Sequence, residues 1–168
     1  VSQRFNWVRV NPFGYNQCKT MGKLTELKPI FFPRSIAVVG ASSDDQKAGS
    51  RYLDTLLAYG YRGRVFPVHS DETEVVGLKA YRSVRDIDQP VDLVNMYVPA
   101  KYVPSVIEDC VANGAVAAQI YSSGFREIGA EGLKLEKEIV RLAGGKLRII
   151  GPNCFGIYCP KGGITLLP

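Results

Sequence analysis

Apolar positions along this chain switch between two periods. Ser35-Ile36-Ala37-Val38-Val39 is a short, almost unbroken apolar run ending at Gly40, and similar runs recur at 65–68, 91–98, 116–121 and 147–150. Runs of this length without polar alternation predict strands buried on both faces of a parallel sheet. Between them the period is helical. Val103, Val106, Ile107, Cys110 and Val111 repeat at i, i+3, i+4, i+7 and i+8, with Gly114 where a left-handed cap ends a helix. Leu135, Ile139, Leu142 and Ala143 form a second stripe, with Lys134, Glu136, Lys137 and Arg141 spread over the opposite side. A shorter helix runs from about residue 50 to 59, with Leu53, Leu56 and Leu57 inward and Gly60 as its stop. Strands alternating with helices imply right-handed crossovers. The expected fold is therefore α/β: a Rossmann-like, doubly wound parallel sheet in three layers.

In such a sheet ligands bind outside the carboxyl ends of the strands, so the residues that follow each strand carry the functional signal. The first tip, Gly40-Ala41-Ser42-Ser43-Asp44-Asp45-Gln46-Lys47-Ala48-Gly49-Ser50, is small and polar and opens onto a helix whose free N–H groups favour phosphate. It is neither a dinucleotide fingerprint, since Ser42 stands at the second glycine, nor a Walker A loop. By itself it equally fits a plain strand-to-helix connection. The second tip is Pro67-Val68-His69-Ser70-Asp71, where Asp71 keeps a ribose-binding, NAD-type reading open beside that of a solvated turn. The third is Tyr97-Val98-Pro99-Ala100, the fourth Ser122-Ser123-Gly124-Phe125, and the fifth Gly151-Pro152-Asn153-Cys154-Phe155-Gly156. Small or backbone-exposing residues at five tips suit a long ligand laid across the sheet edge.

Charge narrows the classes of partner. The net charge is +5, but residues 1–23 hold Arg4, Arg9, Lys19 and Lys23 and no acid, which leaves 17 basic against 16 acidic groups in the remainder. A nearly neutral body argues against nucleic-acid binding. Residues 1–23 lack periodicity and read as an extension outside the domain, with Met21 a candidate start; the alternative is a short basic arm that docks on a partner. Residues 24–168 form the expected domain. Four cysteines without CxxC pairing and a single histidine argue against a metal site. No apolar run approaches the ~20 residues of a membrane span, and no signal-peptide pattern is present, so free thiols in a cytoplasmic setting are expected. Cys110 reads as core, and Cys154 as a small buried filler beside the fifth tip.

Taken together the tips carry a resemblance. Phe32-Pro33-Arg34-Ser35-Ile36-Ala37-Val38-Val39-Gly40-Ala41-Ser42, Gly60 through Val68, Gly77-Leu78-Lys79-Ala80-Tyr81-Arg82-Ser83-Val84 and Val91-Asp92-Leu93 resemble the CoA-binding domain of the NDP-forming acyl-CoA synthetases. So do Val98-Pro99-Ala100, Ser123-Gly124-Phe125-Arg126-Glu127 and Ile150-Gly151-Pro152-Asn153-Cys154. The ordered match covers residues 29–168 and extends to the succinyl-CoA synthetase α-subunit and to the CoA-binding part of protein lysine acetyltransferases. The resemblance implies coenzyme A or acyl-CoA as ligand. Its phosphates would lie on Gly40, Ala41, Ser42, Ser43, Lys47, Gly49 and Ser50, and its adenosine near Val68 and His69. The pantetheine arm would pass Tyr97, Val98 and Pro99, and the thiol end would reach Ser122, Ser123, Gly124 and Asn153.

Two departures matter. After the second strand the family usually shows Asn-Pro-Lys or a similar basic sequence, whereas this chain has His69-Ser70-Asp71-Glu72, which leaves the ribose phosphate without its expected cation. The family also passes a phosphoryl group through a histidine in a following domain, whose boundary the resemblance expects near Gly163–Pro168; His69 lies outside that motif. The expectation is one domain of an acyl-CoA ligase, with no catalytic residue of its own. Its partners would be a phosphohistidine domain and an ATP-grasp portion. A free-standing CoA-binding regulatory module is the alternative, and an NAD-dependent enzyme a weaker third.

Overall fold

A computed structural model describes residues 25–164, so the basic segment 1–23 lies outside the described residues. Five parallel strands, β1 (Ser35–Val39), β2 (Arg64–Val68), β5 (Leu93–Met96), β6 (Ala117–Ile120) and β7 (Arg148–Ile150), pair in the order β2-β1-β5-β6-β7. Every residue of β1, β5 and β6 is buried, as their largely apolar runs predict, and the burial takes in Asn95 of β5 and Gln119 of β6.

Alternate residues of each strand face opposite layers. Ile36, Val38, Leu93 and Ala117 join Tyr52, Leu53 and Leu56 of helix α2 (Ala48–Ala58), together with Ile30 of helix α1 (described over 25–31) and Ile157 and Ile164 of the last segment. Ala37, Val39, Val94, Met96, Ala118 and Ile120 face the other layer. There they meet Val103, Ile107 and Cys110 of α3 (Val103–Asn113) and Ile139 and Ala143 of α4 (Ala130–Ala143). Gly114 ends α3 in the left-handed conformation, with φ 78°, and Cys110 is fully buried. The three-layer arrangement is the expected one.

One crossover differs from a plain strand-helix alternation. Between β2 and β5 the chain forms a two-stranded hairpin, β3 (Glu74–Val75) and β4 (Leu78–Lys79), followed by a 3-10 turn at Val84–Asp86. Val76 and Gly77 between the hairpin strands both take positive φ, the mirror-image geometry of a two-residue turn. The hairpin then delivers Tyr81 to the end of β2: the Tyr81 N–H donates to Pro67 O and the His69 N–H to Tyr81 O, both at 2.9 Å. Residues 81–83 are thus fixed beside the second strand tip.

From β1 the chain moves outward to β2 and later returns to add β5 on the other side of β1. The carboxyl ends of β1 and β5 therefore flank the point where strand order reverses, the place where open α/β sheets leave a crevice.

Candidate functional site

The loop after β1 folds back on the start of α2. The Ser42 N–H donates to Ser50 Oγ at 3.0 Å, and the Ser50 hydroxyl donates back to the Ser42 carbonyl at 2.8 Å, so the loop and the first helical turn form one unit. Gly49 is packed inside it. A β-carbon there would stand 2.6 Å from the Gly40 carbonyl oxygen and 3.1 Å from the Ala41 nitrogen. Lys47 is the N-cap residue of α2 and makes no side-chain cap, which leaves the ammonium outside the helix. Ser42 Oγ is buried without a hydrogen-bond partner among the described residues.

Backbone donors at two strand tips already hold carboxylates. Ser43 donates its N–H at 2.8 Å and its hydroxyl at 2.5 Å to Glu72 Oε2, and these donors hold the Glu72 carboxyl below the usual carboxylate range. Glu127 accepts the Gly124 N–H at 2.6 Å and is held low in the same way. His69 is tied down as well: its Nδ1 accepts the N–H groups of Asp71 at 3.3 Å and Glu72 at 3.2 Å.

Two clefts open along the carboxyl edge of the sheet. The one at the switch point, about 500 Å³, is lined by Gly40, Lys47, Val68, His69, Ser70 and Arg82 and is bounded by Tyr97, Val98 and Pro99. The other, about 540 Å³, runs from Tyr97, Val98 and Pro99 to Tyr121, Ser122, Ser123, Asn153 and Phe155. Residues 97–99 line both clefts, which adjoin there as the two halves of a trough along the tips of β1, β2, β5 and β6 and the segment after β7. Its middle is aromatic: the Tyr97 ring lies 5.5 Å from Tyr52 and 5.1 Å from Tyr121, and burial pushes the Tyr97 hydroxyl well up. Ser122 donates to the Val98 carbonyl, and the Asn153 N–H donates to Ser122 O at 3.0 Å, which ties the fourth and fifth tips to the third.

Ten of the sixteen residues singled out from the sequence line this trough. Ala41, Ser42, Gly49 and Ser50 line neither cleft and are buried in the unit formed by the loop and the start of α2, and Ser43 stands on the exposed part of the same loop. Gly124 opens instead on a neighbouring groove with Ala100 and Ile128. Sequence reasoning missed Tyr121 at one end and Arg82 and Tyr102 at the other, and it named Phe155 in the fifth tip without giving it a ligand role. Tyr121 ends an apolar run and was readable as a tip residue; Arg82 had no local signal. Cys154 is half-buried and lines the trough, with burial raising its thiol, so it is less enclosed than a buried filler. Among the described residues, no group of three His, Cys, Asp or Glu side chains is placed to hold a metal ion, and no helix is long and apolar enough to cross a membrane.

Comparison with known proteins gives a consistent picture. The model of the CoA-binding domain family matches residues 34–160. The chain is 43% identical over 140 residues to the α-subunit of an ADP-forming acetate–CoA ligase of Pyrococcus furiosus, covering 80% of this chain and 30% of that protein. It superimposes with a TM-score of 0.78 and 41% identity on acetyl-coenzyme A synthetase 1 of Ca. Korarchaeum cryptofilum, solved with phosphate and ADP; the match covers 84% of this chain and 30% of the other. A conserved hypothetical protein of Pyrococcus furiosus is matched at TM-score 0.55 and 33% identity, over 69% of this chain and 92% of that one. The chain thus spans about 30% of the length of the ligase subunit it matches.

Proposed function

The chain belongs to the CoA-binding domain family, and on that premise we propose that it is the CoA-binding domain of an ADP-forming acyl-CoA ligase. Such a ligase interconverts acyl-CoA, ADP and phosphate with acid, CoA and ATP. The observation that carries the reading is the pair of adjoining clefts along the strand tips at the switch point, an arrangement that suits an extended ligand rather than a compact one.

The residues present suit CoA. The loop from Gly40 to Ser50 closes on the start of α2, where N–H groups and the positive helix end meet the diphosphate, with Lys47 as a nearby cation. Val68 and His69 border the adenosine end, Tyr97, Val98 and Pro99 the pantetheine arm, and Ser122, Ser123 and Asn153 the thiol end. Gly124 shapes the loop behind that end. A nearly neutral body is no obstacle, because backbone donors and one or two cations act locally.

Residues 24–168 are read as the folded domain, working in the cytoplasm. The phosphoryl-carrying histidine and the ATP-grasp portion belong to partner domains or a partner subunit. His69, the single histidine in the chain, has its Nδ1 engaged by two backbone N–H groups. This division of labour predicts that the 168-residue chain, incubated with acetyl-CoA, ADP and phosphate, makes no ATP above background. A luminescent ATP assay checks it, and ATP formation that survives in His69→Ala would place the phosphoryl carrier elsewhere in this chain. A free-standing CoA-binding module is the second reading, favoured by the match to nearly the whole of a solved protein of domain size.

A further inference from the structure

The turn after β2 looks unsuited to an anion, since His69-Ser70-Asp71-Glu72 brings two acids to the second strand tip. Both are hydrogen-bonded within the loops, and neither lines the cleft. Asp71 accepts the Ser70 hydroxyl at 2.7 Å, and Glu72 is taken by Ser43. The cleft at the switch point is lined by no carboxylate, and its charged side chains are Lys47 and Arg82.

Arg82 reaches this cleft from twelve positions beyond Ser70 in the chain. It is carried there by the pairing of Tyr81 with the end of β2, with the Tyr81 ring set edge-on to Phe66 at 5.7 Å. On its other side Ser83 donates to Asp109 at 2.6 Å and caps the following turn. Arg82 is therefore held between two anchored neighbours. Arg85, three residues on, is paired with Asp109 at 2.9 Å. Arg82 has no hydrogen bond or ion pair among the described residues, and it borders the cleft on the side of Val68, His69 and Ser70.

CoA carries two separate anionic groups, the diphosphate and a monophosphate on the ribose 3′ oxygen. The loop unit at Gly40–Ser50 accounts for the first. On the CoA reading above, we propose that Arg82 binds the ribose 3′-phosphate and supplies the cation that the second strand tip itself lacks. A guanidinium matches a phosphate monoester bidentately. The ligand class selected is a 3′-phosphorylated adenosine; NAD and dephospho-CoA lack that group.

Calorimetric titration of the chain and of Arg82→Ala with CoA and with dephospho-CoA tests this. For Arg82→Ala, CoA affinity should fall by about tenfold or more, the loss of one charge-assisted phosphate contact. Dephospho-CoA should bind parent and variant alike, and Arg82→Lys should recover part of the loss. Equal weakening of both ligands, or unchanged CoA affinity, would overturn the role of Arg82 while leaving CoA binding intact. A parent chain that binds CoA and dephospho-CoA equally well would likewise remove the 3′-phosphate site. A parent that binds neither ligand would instead overturn the CoA reading, and this assignment with it.

Discussion

Replacing Gly49 with aspartate is expected to abolish measurable CoA binding and to lower the melting temperature together. The first turn of α2 lies so close to the loop after β1 that a β-carbon at 49 would stand 2.6 Å from the Gly40 carbonyl oxygen and 2.8 Å from its carbon. Both are backbone atoms at the start of the proposed phosphate loop, so relief requires the loop to move. Overpacking of this kind costs about 1–3 kcal/mol, and the added carboxylate repels a diphosphate as well. Lys47→Ala is the contrasting variant. It removes one exposed cation and should weaken CoA by about 1 kcal/mol, with no change in melting temperature. Were Gly49 needed only for helix entry, an aspartate near the N-terminus would be tolerated or mildly stabilising. A Gly49→Asp chain that melts and binds CoA like the parent would take this loop out of the site.

Gly132→Ala should produce the largest loss of stability from a single methyl group. Gly132 lies in the first turn of α4, buried against the loop that follows β6, and a β-carbon there would fall 1.7 Å from the Phe125 carbonyl oxygen and 2.2 Å from its carbon. Phe125 is itself fully buried in the core that α3 and α4 cover. Neither partner can yield locally, so α4 must shift away from the sheet and open the packing around Ile139 and Ala143. A loss of about 3 kcal/mol or more is expected, which for a chain of this length lowers the melting temperature by roughly 6–12 °C. Thermal unfolding followed by circular dichroism measures it. A parent-like melt would show that this contact is looser than the geometry states. The same shift would displace Ser122 and Ser123, so CoA affinity should fall with stability.

The sheet was legible because its central strands are buried on both faces: β1, β5 and β6 each read as apolar runs, and each is wholly buried. Their ends were less legible. The run at 91–98 becomes a strand only over Leu93–Met96, since the Val91 N–H goes to Asn113 Oδ1 and Val98 already leads into the turn at Pro99. The hairpin had no readable signal. Each of its strands is two residues long, and Val76 takes a left-handed conformation that β-branched residues seldom adopt.

The tips divided in the same way. Glycine and serine after β1 announced a small loop, but sequence alone left a phosphate loop and a plain helix entry equally open; the close approach of Gly49 to the Gly40 carbonyl gives that glycine a packing role. Arg82 was invisible as a cleft residue because its place depends on a bridge between Tyr81 and Val68. The acids at 71 and 72 misled in the opposite direction, because Asp71 is taken by the adjacent Ser70 and Glu72 by Ser43, twenty-nine residues away, a pairing not written in any local pattern.

Calorimetric titration of the chain with CoA and with NAD in the same buffer decides whether the trough is built for CoA. Ser42 stands where a dinucleotide loop needs its second glycine for close pyrophosphate approach, and Arg82 offers its charge to a phosphate that NAD does not carry. A saturable CoA isotherm and weaker or undetectable NAD binding are expected. Tighter binding of NAD than of CoA would contradict it.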